Sequence, residues 1–342
     1  MSEIKDDFKI CWKVLPDVSR SFALCIELLP RPVDSGVMIS YLVFRAIDTI
    51  EDSSSVYELK EQYLKQFESI LVRHAYDHEI VSRFKDDLIS KIRHTYEHQL
   101  LKNVDSVLRC YFSFDPRVKE IIGKWAITMS GGMLKHQTAT IRSFKDQDKY
   151  CSYAAGIVGC LLTDLFYVHK KIDENCYHKL YPLSQKFGLA LQKVNIIRDV
   201  SYDIMLNRFY WPQSLLEKYQ LTYNTLCLPE NRAKALRLLS IMVKNVVKCL
   251  DSAVTYVKML PRRQLKIRVF CLIPLFMAIH SLQKCIDNED VFIRDRKVKI
   301  SRGLVKQITI RSYLCGWSNY LITSWYKKVM AAPIPVSVEK KV

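Results

Sequence analysis

Glycine is scarce in this chain, with nine residues in 342 against eleven prolines. Few runs alternate apolar and polar residues, so a fold built on hairpins or barrels is excluded and 3.6-residue periodicity is left to organise the chain. There is no GxxxxGKS/T loop and no glycine-rich dinucleotide turn, which removes the P-loop and Rossmann classes. Eleven cysteines are present, but none forms a CxxC pair and no secretory leader precedes them. Zinc ribbons and disulfide frameworks are therefore not expected, and the thiols read as reduced core residues inside a cell. The N-terminal "MSEIKDDFKICWKV" is too charged for a signal peptide. The greasiest run, "VFCLIPLFMAIHSL", reads as too short to cross a bilayer and carries Pro274 and His280. No transmembrane anchor is expected, and a cytoplasmic, or membrane-associated, protein is.

Acid is also in short supply: 35 Asp and Glu face 52 Lys and Arg, a formal charge of +17. Such a field favours nucleic acid, an anionic membrane surface or phosphorylated substrates. No helix-turn-helix, zinc module or RNA-binding sheet motif is present, so nucleic acid is not the expected partner.

What is present is grease at helical spacing. Hydrophobic residues make up 49% of the chain, enough for a sizeable core. No long flexible linker interrupts them, so a single catalytic domain over 1–342 is expected, with its core at about 10–330 and a short polar tail. Helices are expected over 35–51, 58–74, 78–101, 116–143, 148–169, 182–206, 230–259, 264–286 and 304–329. The breaks fall at prolines, including Pro182, Pro212, Pro229 and Pro261. The fold class is all-α.

Two segments place acid on otherwise apolar helices. In "YLVFRAIDTIED", Asp48 and Asp52 are four residues apart and share a helical face with Arg45 and Tyr41. In "LQKVNIIRDVSYD", Gln192, Asn195, Asp199 and Asp203 follow one another at steps of three and four, with Arg198 beside them and Arg208 after. Exposed helix ends with ordinary salt bridges are the bland alternative. Carboxylates on buried helices repel one another unless a cation joins them, and oxygen-only donors suit Mg²⁺. Because Mg²⁺ usually binds a few carboxylates together with substrate phosphates, arginines beside such a site suggest a diphosphate. An apolar wall around it suggests a prenyl tail.

These residues carry a resemblance. "VSRSFA" (18–23), "YLVFRAIDTIED" (41–52), "DKYCSYAAGIVG" (148–159), "LQKVNIIRDVSYD" (191–203) with "FYWPQ" after it, "VFCLIP" (269–274) and "VKISRG" (298–303) occur in order. Over about residues 10–330 the chain resembles the squalene synthase branch of the squalene and phytoene synthase family. The resemblance implies an isoprenoid synthase helical bundle with a central apolar cavity and two facing aspartate motifs. It implies Mg²⁺-dependent head-to-head condensation of two farnesyl diphosphates to presqualene diphosphate, then NADPH-dependent conversion to squalene. Mn²⁺ is an alternative metal, and a monomer is expected.

Residue by residue, the resemblance makes Asp48, Asp52, Asn195, Asp199 and Asp203 the metal-binding set, with the four aspartates also catalytic. Tyr150 assists ionisation or deprotonation. Arg45, Arg198 and Arg208 bind diphosphate, and Ser19, Arg20, Ser21, Phe22 and Tyr41 line the mouth. Gln192 supports the cavity, and Phe270, Cys271 and Pro274 wall the second-step pocket. Arg45, Lys299 and Arg302 are the cofactor-binding set, the last two for the NADPH phosphates. The chain departs from the family pattern at Tyr202, where a glutamate is usual, at Leu206 and Asn207, where small residues are usual, and at Ala154. Two rival readings remain: an enzyme of dehydrosqualene, phytoene or presqualene diphosphate type without the reductive step, and a non-catalytic lipid-binding or scaffold relative. The basic, aromatic segment 304–329 is read either as the terminal packing helix or as a peripheral membrane contact.

Overall fold

The computed structural model describes residues 2–53, 56–91, 98–137 and 139–331, with backbone alone at 2, 20, 21 and 137. Every regular element among the described residues is helical. In chain order they are α1 (Ser2–Val18), α2 (Arg20–Ile26), α3 (Val33–Asp52), α4 (Tyr57–Leu71), α5 (His78–Lys91), α6 (His98–Lys102), α7 (Val104–Phe112), α8 (Pro116–Gln137) and α9 (Phe144–Cys151). A π-helical turn (Ser152–Gly156) leads into α10 (Ile157–Val168), α11 (Glu174–Arg198), α12 (Val200–Met205), α13 (Gln213–Lys218) and α14 (Tyr223–Leu226). Then come α15 (Arg232–Met259), α16 (Leu265–Cys285), α17 (Arg302–Gly316) and α18 (Asn319–Met330), with short 3₁₀ turns at Pro229–Asn231 and Glu289–Phe292.

Two compact units, interleaved in sequence, divide these elements: 1–138 with 161–173, and 139–160 with 174–342. In the first, α3 is apolar nearly all round and buried accordingly, packing on α1, α7 and α8. Trp125 of α8 donates its indole N–H to Asp164 of α10 at 2.8 Å, which satisfies a buried carboxylate. Asp7 of α1 accepts two hydrogen bonds of 2.8 Å from Arg109 of α7. Burial opposes ionisation of Asp7, yet Arg109 and Ser106 outweigh it and hold the carboxyl below its ordinary 3.8. The stabilisation is thus present above pH 4 and fades as the pH falls through the lower folded value. Asp7→Asn is expected to cost ~2 kcal/mol in urea unfolding at pH 7, shrinking towards pH 3; an equal loss at both pH values would contradict this.

In the second unit α11 lies against α15, α16 and the π-helical turn. Glycine permits the closest approaches. A Cβ on Gly188 would lie 2.0 Å from the carbonyl oxygen of Ala155, and one on Gly159 would lie 1.9 Å from that of Ser184. The small residues of "AAGIVG" therefore serve helix contact here.

Several expected boundaries need correction. Pro182 does not break a helix; it lies inside α11, where burial of Leu180, Ser184, Phe187 and Gly188 outweighs the lost backbone bond. The segment expected as one helix over 304–329 is two, because Ser318 caps α18 through Leu321 N–H at 3.3 Å. The helix expected from 148 starts at Phe144, behind a capping box of Ser143 and Asp146. Residues 92–97 of the expected 78–101 helix lie outside the described residues. The α1, α2 and α7 helices were not anticipated.

The run "VFCLIPLFMAIHSL" lies within α16, an unbroken 21-residue helix, so length does not exclude a membrane span as expected. The 144–168 stretch is also long and apolar enough, and most of the apolar window of each is buried within the protein, as in core helices. None of the eleven cysteines is joined in a disulfide, and Sγ of Cys11 and Cys110 stand 3.9 Å apart, well beyond a disulfide bond. Burial pushes the thiols of Cys25 and Cys285 up to about 12, which makes them inert at neutral pH.

Candidate active site

The first acidic motif ends α3. Helical geometry puts Asp48 and Asp52 one turn apart on the face that also carries Arg45, whose guanidinium is 3.6 Å from Asp48. Burial pushes the Asp48 carboxyl up to about 7; Arg45 partly opposes this, while Asp52 and Glu51 add to it. A carboxylate whose ionised form is disfavoured by burial and by neighbouring acids gains from a further cation, which makes Asp48 a candidate metal ligand. Tyr41, one turn before Arg45, stacks on Phe22 of α2 with ring centroids 5.8 Å apart. Ser19, a mouth residue by resemblance, caps α2, accepting from Phe22 N–H at 3.2 Å. The side chains of Arg20 and Ser21 lie outside the described residues.

The second motif crosses the junction of α11 and α12. Gln192 and Asn195, half-buried on the last turns of α11, precede Asp199, which is the N-cap of α12. The helical path barely breaks: Asp199 N–H bonds Asn195 at 2.8 Å, and Asp203 N–H bonds Asp199 at 2.9 Å. Asp199 and Asp203 thus keep the one-turn spacing. Arg198 donates both Nε, at 2.8 Å, and a terminal nitrogen to the Asp199 carboxylate. After α12, Asn207 adopts a left-handed backbone with φ 56°, and Arg208 N–H returns to the Asp203 carbonyl at 2.8 Å. Asn tolerates this geometry better than most residues, which accounts for its presence at a departure from the family pattern.

"FYWPQ" holds this region in place. Buried Trp211 donates to the Ile196 carbonyl at 3.2 Å, and Tyr223 donates its hydroxyl to the Trp211 carbonyl. Tyr210 then stacks on Tyr150, with centroids 4.6 Å apart, while Gln147 binds the Tyr210 carbonyl at 2.8 Å. Tyr150 sits on the last turn of α9, immediately before the π-helical turn, a feature that often marks functional sites.

One residue was missed by sequence reasoning. Lys193, 1% exposed, forms an ion pair with Asp148 of α9 and donates to Asn245 of α15 at 2.5 Å. It ties α9, which carries Tyr150, to α11 and α15. The sequence offered no signal, because its partners lie 45 and 52 residues away.

Phe270 and Cys271 are buried in α16, and Pro274 is half-buried. Lys299 lines a cavity of about 230 Å³ with Arg198, Asp199 and Tyr202, whereas Arg302, exposed at the start of α17, is not among its lining residues. Among the described residues no three His, Cys, Asp or Glu side chains cluster as a ready-made metal site. Each motif instead offers a carboxylate pair, the donor set that suits Mg²⁺ when substrate phosphates complete its shell.

The squalene/phytoene synthase family model matches residues 15–303, which contain both motifs. The chain belongs to this family. It is 34% identical to the squalene synthase of Schizosaccharomyces pombe over 318 residues, covering 90% of this chain and 66% of that protein. It is 34% identical to the squalene synthase of Nicotiana benthamiana over 306 residues, covering 88% of this chain and 70% of that protein. The chain thus spans about two thirds of the length of these relatives. A solved structure described as the complex of TcSQS with the ligand E5700 superposes with a TM-score of 0.84 at 29% identity, covering 98% of this chain and 93% of that one. The family is enzymatic, and the all-α architecture agrees with this neighbour.

Proposed function

We propose that the protein is a squalene synthase, joining two farnesyl diphosphates to presqualene diphosphate and converting that to squalene with NADPH. The observation that carries the reading is the chemistry of the two motifs: each pairs carboxylates one helical turn apart and already holds an arginine against one of them. The relatives just named are squalene synthases, which favours the reductive product over dehydrosqualene.

Arg45, Arg198 and Arg208 would bind diphosphate oxygens through charge-assisted hydrogen bonds, strongest as negative charge develops on the leaving group. Asp48, Asp52, Asn195, Asp199 and Asp203 would hold Mg²⁺, or Mn²⁺ in its place, which when bound neutralises the diphosphate. Tyr150, steadied by Tyr210, would hold or accept a proton at its phenolic oxygen during the first step. Phe270, Cys271 and Pro274 would wall a central apolar cavity that keeps water from the substrate carbocations, with Gln192 at its edge. Ser19, Arg20, Ser21, Phe22 and Tyr41 would form its mouth. Lys299, Arg302 and Arg45 would hold the phosphates of NADPH, which supplies hydride. One domain acting as a monomer is part of the proposal. The test is diphosphate release from farnesyl diphosphate: rapid release with Mg²⁺, abolished by EDTA, is expected, and no release would contradict it.

A peripheral membrane contact is a second part. Trp325 stacks on Phe276, and the Tyr326 hydroxyl bonds Asp251, so α18 packs inward. Leu314, Trp317 and Tyr320 are 64%, 59% and 79% exposed beside basic residues of α17 and α18, a composition suited to an anionic interface. Trp317→Ser with Tyr320→Ser is expected to weaken co-sedimentation with phosphatidylserine vesicles roughly tenfold. Unchanged binding would contradict it.

A further inference from the structure

Residues 208–212 lead from the second acidic motif to α13 without forming a helix, so their backbone groups find partners in side chains and distant carbonyls. Arg208 N–H returns to the Asp203 carbonyl at 2.8 Å, and the Tyr210 carbonyl accepts from Gln147 at 2.8 Å. The Trp211 carbonyl accepts from the hydroxyl of Tyr223, twelve residues on. The ring of the same Tyr223 stacks on Phe209, with centroids 4.5 Å apart and planes 26° from parallel. One side chain therefore engages the chain on both sides of Tyr210, whose own ring lies on Tyr150 at 4.6 Å.

Tyr223 is itself firmly placed. It opens the single-turn α14, which Thr222 and Thr225 hold through a capping box. Leu221 and Leu226 on either side are buried, and Asn231, the N-cap of α15, donates to the Thr225 carbonyl at 3.0 Å. Burial pushes the Tyr223 hydroxyl up to about 12, so it stays protonated and donates at neutral pH. Satisfying a carbonyl needs the hydroxyl alone; the ring on Phe209 adds a second hold on the same short stretch. Both holds matter because one aromatic stack is weak: Tyr210 keeps the Tyr150 ring in place only if its own backbone is fixed.

We propose that Tyr223 is a positioning residue for Tyr150, clasping the chain at Phe209 and Trp211 so that the Tyr210 ring meets Tyr150 in one place. Its hydroxyl is engaged by the Trp211 carbonyl, so it acts through the clasp and not on substrate. The catalytic half of the proposal rests on the role proposed above for Tyr150; the clasp itself does not.

The test uses the full chain with Tyr223→Leu, which removes both contacts, and Tyr223→Phe, which keeps the stack and loses the hydroxyl. Tyr219→Leu is the control, since the half-buried Tyr219 side chain makes no hydrogen bond or ring contact among the described residues. The clasp is read without substrate by fluorine NMR of chain labelled with 3-fluorotyrosine, where the Tyr150 signal is the one absent from Tyr150→Phe. That signal is expected to move in Tyr223→Leu, to move less in Tyr223→Phe and to stay in the control. Tyr223→Leu is expected to lower kcat about tenfold and Tyr223→Phe about threefold, with KM for farnesyl diphosphate changed less than about threefold. In a Tyr150→Phe background, Tyr223→Leu should lower kcat less than about twofold further, because the group it positions is gone. An unmoved Tyr150 signal, an equal movement in the control, or a kcat loss that persists in full without the Tyr150 hydroxyl overturns the proposal. Should Tyr223→Leu fail to fold, Tyr223→Phe, which removes one oxygen atom, gives both readouts. Failure of the synthase reading would appear separately, as absent diphosphate release by the unaltered chain, and the NMR signal would still decide the clasp.

Discussion

Asp203→Asn is expected to lower turnover of farnesyl diphosphate by about 10²–10³-fold, the scale of removing one preorganised group that stabilises transition-state charge. The change is nearly isosteric. Asp203 stands on the short α12, one turn from Asp199, and its backbone bonds to Asp199 and Arg208 do not involve the side chain. The helix should therefore persist while one anionic oxygen donor for the metal is lost. Asp199 does not replace the lost donor, because it is a proposed ligand in its own right and its carboxylate also carries Arg198. Steady-state diphosphate release, measured beside a thermal melt, checks this. An unchanged melt with turnover reduced less than about tenfold would remove Asp203 from the metal site.

Lys193→Met is expected to lower kcat by about 10²-fold while changing KM for farnesyl diphosphate less than about threefold. Lys193 touches neither proposed metal ligand nor diphosphate. It pairs with Asp148 two residues before Tyr150 and bonds Asn245, so its loss frees α9 from α11 and α15. A displaced Tyr150 hydroxyl affects the chemical step more than substrate binding. Asp148 is partly exposed and can rehydrate, which keeps the stability loss to about 1–3 kcal/mol. A double-variant cycle with Asp148→Asn should show coupling of about 1–3 kcal/mol in activation free energy. Additive effects, or a rise in KM alone, would make Lys193 a packing residue without influence on Tyr150.

The acidic faces were legible because helix periodicity acts locally: residues four apart on an apolar helix share a face whatever surrounds them. Asp48 with Asp52 and Asp199 with Asp203 needed nothing more. The α11 helix was partly legible, since Pro182 signals a break and only its packing against α15 overrides that signal. Lys193, Tyr210 and the π-helical turn were not legible, because their significance lies in partners distant in sequence or in backbone geometry without a residue signature. The basic loop 294–299 was visible as charge, yet a charged loop is ordinarily solvated. Its anchoring by buried Phe292 and Val298, and the Tyr202 ring 5.0 Å from Lys297, give it shape.

The most direct measurement is product identity. The full chain is incubated with farnesyl diphosphate and Mg²⁺, with and without NADPH, and the hydrocarbons are extracted and analysed by mass. The account predicts squalene with NADPH and accumulated presqualene diphosphate without it. Dehydrosqualene as the sole product in both cases, or no condensed product in either, would contradict it.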